Sequence, residues 1–75
     1  MPDVQVSVLI PVKDEEATLA TLVAEIGEAF ATMPEVEYEV IFVDDGSVDT
    51  SWTVMQELAA TNERVRALRL RRNFG

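Results

Sequence analysis

Residues 40 to 47, VIFVDDGS, set four consecutive apolar side chains directly before two adjacent carboxylates, a glycine and a serine. A short apolar run bounded by turn residues reads as a buried strand, and the abrupt switch to charge marks where that strand leaves the core. A second segment, Val4 to Val12 (VQVSVLIPV), ends in a similar way, running into Lys13, Asp14, Glu15 and Glu16. Val4, Val6 and Val8 alternate on one face, and Leu9 and Ile10 make the later half apolar on both, as in a central strand of a covered sheet. Pro11 has no N–H to donate, so the pairing of this strand is expected to end there.

Between the two strands, Leu19, Leu22, Val23, Ile26 and Phe30 recur at the three- and four-residue spacing of one buried helical face, which predicts a helix from Glu15 to about Ala31. Asp14 is the expected N-cap, and Glu15 and Glu16 suit the positive end of the helix dipole. After the doublet, Ser47 is placed to cap a second helix reaching about Thr61, with Asp49 in its first turn and Trp52, Met55 and Ala59 sharing a face. Arg64 to Leu70 (RVRALRL) predicts a third strand. The alternation is strand, helix, strand, helix, strand. Short connections favour right-handed crossovers, and therefore an α/β, Rossmann-like three-stranded parallel sheet ordered 3-2-1 with helices on its faces.

In an open parallel sheet, ligands collect beyond the carboxyl ends of the strands, and both charged turns fall there on neighbouring strands. Carboxylates suit the N–H donors of a base, the hydroxyls of a ribose or a divalent cation, and do not themselves hold phosphate. Gly46 lets the backbone turn sharply and come close to a ligand. Each feature also has a purely structural reading. Asp44 and Asp45 can be a capped strand-to-helix turn, although two adjacent like charges are mutually unfavourable unless solvated or countered. Glu15 and Glu16 can be dipole-complementing surface residues, Lys13 an ordinary surface lysine and Trp52 a core residue.

Composition limits the function classes. Seventy-five residues make at most one small domain, and 48% hydrophobic content is enough for a packed core. There is no cysteine, so neither a disulfide framework nor a thiolate metal site. No apolar run approaches the roughly 20 residues that span a bilayer. The net charge of −8 is uneven: residues 1 to 62 set 13 acids against Lys13 alone, whereas residues 63 to 75 carry Glu63 and five arginines. An acidic body excludes broad nucleic-acid binding. The basic end reads either as an edge strand whose arginines pair with the acidic body or as a local phosphate contact.

Three segments together, VSVLIPVKDEEATLATLVAEI, YEVIFVDDGSVDTSW and LRLRRNFG, resemble the opening of a family 2 glycosyltransferase of the GT-A fold, of the dolichol- or polyprenyl-phosphate sugar transferase kind, in family order and spacing. The resemblance implies that residues 1–75 are the amino-terminal, incomplete part of a GT-A nucleotide-sugar-binding domain. It carries Pro11, Lys13 and Glu15 onto the base and ribose pocket, Asp44 and Asp45 onto the acidic pair contacting base and ribose, and Ser47 onto support of that turn. Two positions depart from the family pattern: Lys13 stands where an aromatic residue often stacks on the base, and Asp14 replaces an asparagine.

The family's metal-binding Asp-x-Asp, its catalytic base and its acceptor site lie beyond Gly75, so no catalytic or metal-ligating residue is assigned within this chain. The implied parent enzyme uses a divalent cation, Mg or Mn, which this segment alone does not bind. It transfers a hexose from a UDP- or GDP-sugar to a lipid phosphate, with the cation stabilising the departing diphosphate. The expected location is the cytoplasm, with the parent at the cytoplasmic face of the membrane. A receiver domain of a signalling system also sets paired aspartates after an apolar strand, but it requires a later phosphorylatable aspartate and a lysine that VRALRLRRNFG does not supply. A dinucleotide-binding enzyme is disfavoured because no G-x-G-x-x-G follows the first strand. A folded segment without activity of its own is compatible with the family. Without its later neighbour the first strand presents an open edge, and self-association through VSVLI is expected.

Overall fold

The computed structural model describes residues 3–14, 17–46 and 50–70. The elements are β1 (Val6–Val12), α1 (Leu19–Ala31), β2 (Tyr38–Asp44), α2 (Ser51–Thr61) and β3 (Val65–Arg69). All strands are parallel and β2 lies between the other two, which is the 3-2-1 order expected from two short right-handed crossovers.

Both crossovers step across the sheet in the same direction, and this puts both helices on one face. Val12, Val40, Phe42 and Val65 from the strands meet Leu19 of α1 and Met55 of α2 in one buried cluster. Leu22, Val23 and Ile26 of α1, and Trp52, Leu58 and Ala59 of α2, pack around it. The expectation of helices on both faces is corrected accordingly. On the other face Leu9 is 64% and Leu68 56% exposed, beside the half-buried Ile41 and Val43. In register the apolar row there reads Leu9 with Ile41, then Pro11 with Val43 and Leu68.

Backbone bonding explains two further departures. Val6 N–H donates to Glu37 O at 3.2 Å and Asp45 N–H to Val12 O at 3.0 Å. In a parallel ladder this turns the backbone groups of even-numbered β1 residues toward β2 and those of Ser7, Leu9 and Pro11 toward the outer edge. Pro11 therefore removes no bond to β2, and pairing continues through Val12 opposite Asp44. Among the described residues β1 is an edge strand, not a central one.

The helices begin later than their periodicity predicts. Asp14 has φ of 53°, a left-handed conformation that cannot lead directly into a right-handed helix, so it is not the N-cap. Thr18 takes that position, and Leu22 N–H donates to Thr18 O at 3.0 Å. Thr50 rather than Ser47 is the N-cap of α2, with Val54 N–H donating to Thr50 O at 3.0 Å. Glu15, Glu16, Ser47 and Asp49 lie outside the described residues. Among the described residues no helix is long and apolar enough to cross a membrane.

Each arginine of the third-strand segment meets an acid of the second. Arg64 Nη1 lies 3.3 Å from Glu37 Oε2, Arg66 Nε 3.8 Å from Glu39 Oε1 and Arg69 Nε 3.0 Å from Asp44 Oδ2. Arg64 also lies over the Tyr38 ring, 4.5 Å from its centroid, and donates to Tyr38 O. Tyr38 in turn stacks on Phe30 at 4.2 Å. The Arg64, Glu37, Tyr38 and Phe30 contacts fasten the amino end of the sheet, opposite the two charged turns.

Candidate functional site

The carboxyl ends of β1 and β2 are held together by their register. Val12 lies opposite Asp44, and the Asp45 N–H bond to Val12 O carries the ladder one residue past the strand. Lys13 and Asp14 leave β1 as Asp45 and Gly46 leave β2, so the two charged turns open at the same end of the sheet. Gly46 has φ of 79°, a turn an L side chain would strain. Of the six residues assigned to nucleotide binding, Pro11, Lys13, Asp44 and Asp45 gather at this end, whereas Glu15 and Ser47 lie outside the described residues.

The two aspartates differ in environment. Successive strand side chains point to opposite faces, and Asp44 shares the helix-covered face with Val40 and Phe42, where it is 0% exposed. Its carboxylate faces Arg69 Nε of β3 at 3.0 Å. Arg69 is the β3 residue in register with Asp44, and its guanidinium carbon lies 5.3 Å from the centroid of the Trp52 ring at the start of α2. Trp52 is a partly buried core residue that also supports this cation. Asp45 and Gly46 are half-buried, and Lys13 is exposed.

A buried carboxylate requires a counter-charge, which Arg69 supplies, so Asp44 acts first as an internal brace of the sheet end. Asp45, one residue on, is half-exposed at the same sheet end. Sequence reading missed Arg69. Its signal was present in the alternating arginines of RVRALRL, but pairing it with Asp44 requires the β2–β3 register. Among the described residues no three His, Cys, Asp or Glu side chains gather as a metal site, and Asp44 is already committed to a guanidinium. These residues do not make up the ligand set of a divalent cation, and no chemical step is routed through one here.

Comparison with known proteins fits this arrangement. The family model described as Glycosyl transferase family 2 matches residues 7–75. Among curated proteins, the undecaprenyl-phosphate 4-deoxy-4-formamido-L-arabinose transferase of Klebsiella pneumoniae subsp. pneumoniae is 40% identical over 75 residues, covering 99% of this chain and 23% of that protein. Proteins of the same name from Aeromonas hydrophila subsp. hydrophila and Proteus mirabilis are 39% identical over 71 residues and 42% identical over 72. They cover 93% and 95% of this chain, and 22% of each relative. The chain thus spans about a quarter of the length of the curated relatives it matches. With the family model matched from β1 through β3, the chain belongs to glycosyl transferase family 2.

Proposed function

We propose that the chain forms the nucleoside-binding part of a glycosyltransferase that moves a sugar from a UDP- or GDP-sugar to a polyprenyl phosphate at the cytoplasmic face of a membrane. The observation that carries this reading is the Val12–Asp44 register, sealed by the Asp45 N–H bond to Val12 O, which brings both charged turns to one sheet end. Pro11 and Lys13 border the base, Asp45 accepts from base or ribose, and Asp44 holds the turn in place. Glu15 and Ser47 complete the proposed pocket. The names of the relatives support a polyprenyl-phosphate acceptor. The resemblance implies a hexose, whereas the sugar in those names is an arabinose derivative, so donors of both kinds belong in the test. A divalent cation, Mg or Mn, would be held by residues outside this chain.

Backbone amide spectra of the 15N-labelled chain, titrated with UDP, GDP and their hexose and pentose conjugates, test the pocket. The expected result is shifts concentrated at residues 12–15 and 45–47, saturating for one nucleotide and weakened by Asp45→Asn. Shifts centred on Met33–Glu37, at the opposite end of the sheet, would refute the assignment.

A further inference from the structure

We infer that Arg69 is an anion-contacting residue of this site, held in place by Asp44 and Trp52 to receive the diphosphate of the nucleotide; the inference rests on the nucleotide reading above. Three observations converge on it. Arg69 is the last residue of β3 and stands in register with Asp44, in the row that leads through Val12 to the two charged turns. Its guanidinium is fixed on two sides, with Nε 3.0 Å from the buried Asp44 carboxylate and Cζ 5.3 Å from the Trp52 ring centroid. The side chain is nevertheless 48% exposed, so a group so firmly anchored still faces solvent.

This arrangement differs from an ordinary surface ion pair. A free arginine loses rotamer entropy when it takes up a ligand, whereas one already held against a carboxylate and a ring loses little. Guanidinium has five N–H donors in a planar fork, a bidentate geometry suited to phosphate oxygens; Arg69 Nε meets Asp44 as an ion pair at 3.0 Å without a hydrogen bond to Oδ2, so its solvent-facing donors are left for an anion. The other described arginines are placed differently. Arg64 is at the amino end of the sheet against Glu37 and Tyr38, and Arg66 neighbours Glu39, well back from the carboxyl end. Trp52 belongs to the first turn of α2, so the helix end adds positive potential beside Arg69.

A fixed cation is also what a diphosphate in this site requires. Asp45 of the proposed pocket is a carboxylate, and residues 1 to 62 as a whole are strongly acidic. A nucleoside diphosphate entering this field meets repulsion unless a fixed cation lies along its phosphates. Arg69 provides one at the carboxyl end of the strand beside the doublet. Asp44 thereby has two linked roles: it neutralises part of the arginine's charge and sets its direction.

Side-chain 15N spectra of the arginine-labelled 75-residue chain, titrated with inorganic pyrophosphate, UDP, GDP, uridine, guanosine and geranyl monophosphate, test the inference directly. The Arg69 Nε–H and Nη signals are expected to move with pyrophosphate and with one nucleoside diphosphate, and to stay still with the nucleosides. Arg69→Gln should weaken the diphosphate about tenfold more than it weakens the nucleoside. If Arg69→Gln unfolds the chain, the wild-type side-chain signals still decide. Arg69 signals unmoved by pyrophosphate and by both diphosphates would overturn the inference, as would equal weakening of nucleoside and nucleotide, which marks a brace alone. A larger response to geranyl monophosphate than to UDP or GDP would overturn it by assigning the anion to the acceptor lipid. Arg69 shifts with pyrophosphate, without any nucleoside or nucleotide perturbing Asp45 and Gly46, would uphold the anion contact and defeat the nucleotide reading instead.

Discussion

Asp44 and Arg69 face each other across adjacent parallel strands, 3.0 Å between Oδ2 and Nε, with the carboxylate wholly buried and only the arginine reaching water. The β2–β3 register places the pair, and the pair in turn fixes the sheet end from which the charged turns leave.

Removing either partner should therefore cost more than a surface ion pair does. Arg69→Ala strips a buried carboxylate of its β3 cation and is expected to destabilise the chain by about 1–3 kcal/mol, less than a fully buried pair because the arginine is half-exposed. Asp44→Asn should cost less, and Asp44→Asn/Arg69→Ala less than the two single changes combined. Urea denaturation of the four proteins measures the coupling. Strict additivity would show that the two side chains do not interact.

Phe42 is fully buried at the centre of the cluster uniting β2 with both helices. Phe42→Ala is expected to cost about 3–5 kcal/mol, against a total stability of roughly 4–11 kcal/mol for a domain of this length. A broad, non-cooperative thermal transition is the expected result. Phe42→Leu should retain a cooperative one at lower temperature. An unchanged melting curve for Phe42→Ala would mean that the core lies elsewhere.

Two backbone positions at the site make opposite demands. Gly46→Ala forces a side chain into φ of 79° and should cost about 1–2 kcal/mol. Asp14→Gly, at φ of 53°, should be neutral or stabilising by up to about 1 kcal/mol. Urea midpoints for the two variants test the contrast, and a reversed order would contradict both turn conformations.

The open sheet face and edge should make the isolated 75-residue chain self-associate. Leu9 and Leu68 are largely exposed on the uncovered face, and Ser7 and Leu9 direct backbone groups to the outer edge, where Pro11 offers no N–H. Leu9→Lys and Leu68→Glu should lower the association constant about tenfold or more with little change in melting temperature. Sedimentation velocity across a concentration series measures this. A wild-type chain that stays monomeric at millimolar concentration would remove the premise.

The amino-acid sequence by itself determined the element order, the apolar stripes of both helices and the 3-2-1 strand order, because these follow from local periodicity and from the handedness of short crossovers. Leu19, Leu22, Val23, Ile26 and Met55 all reach the core their spacing predicts. The two charged turns were likewise legible as neighbours, since parallel strands joined by helices bring their carboxyl ends together. Tertiary structure alone decided which aspartate faces inward. Residues 40 to 43 are apolar at every position, so alternation does not reveal which side of β2 is covered until both helices settle on one face. It also decided that Arg69 meets Asp44, because strand register is set by packing between elements far apart in sequence. Where α1 begins depended on Asp14 turning left-handed, a backbone choice that side-chain periodicity does not encode.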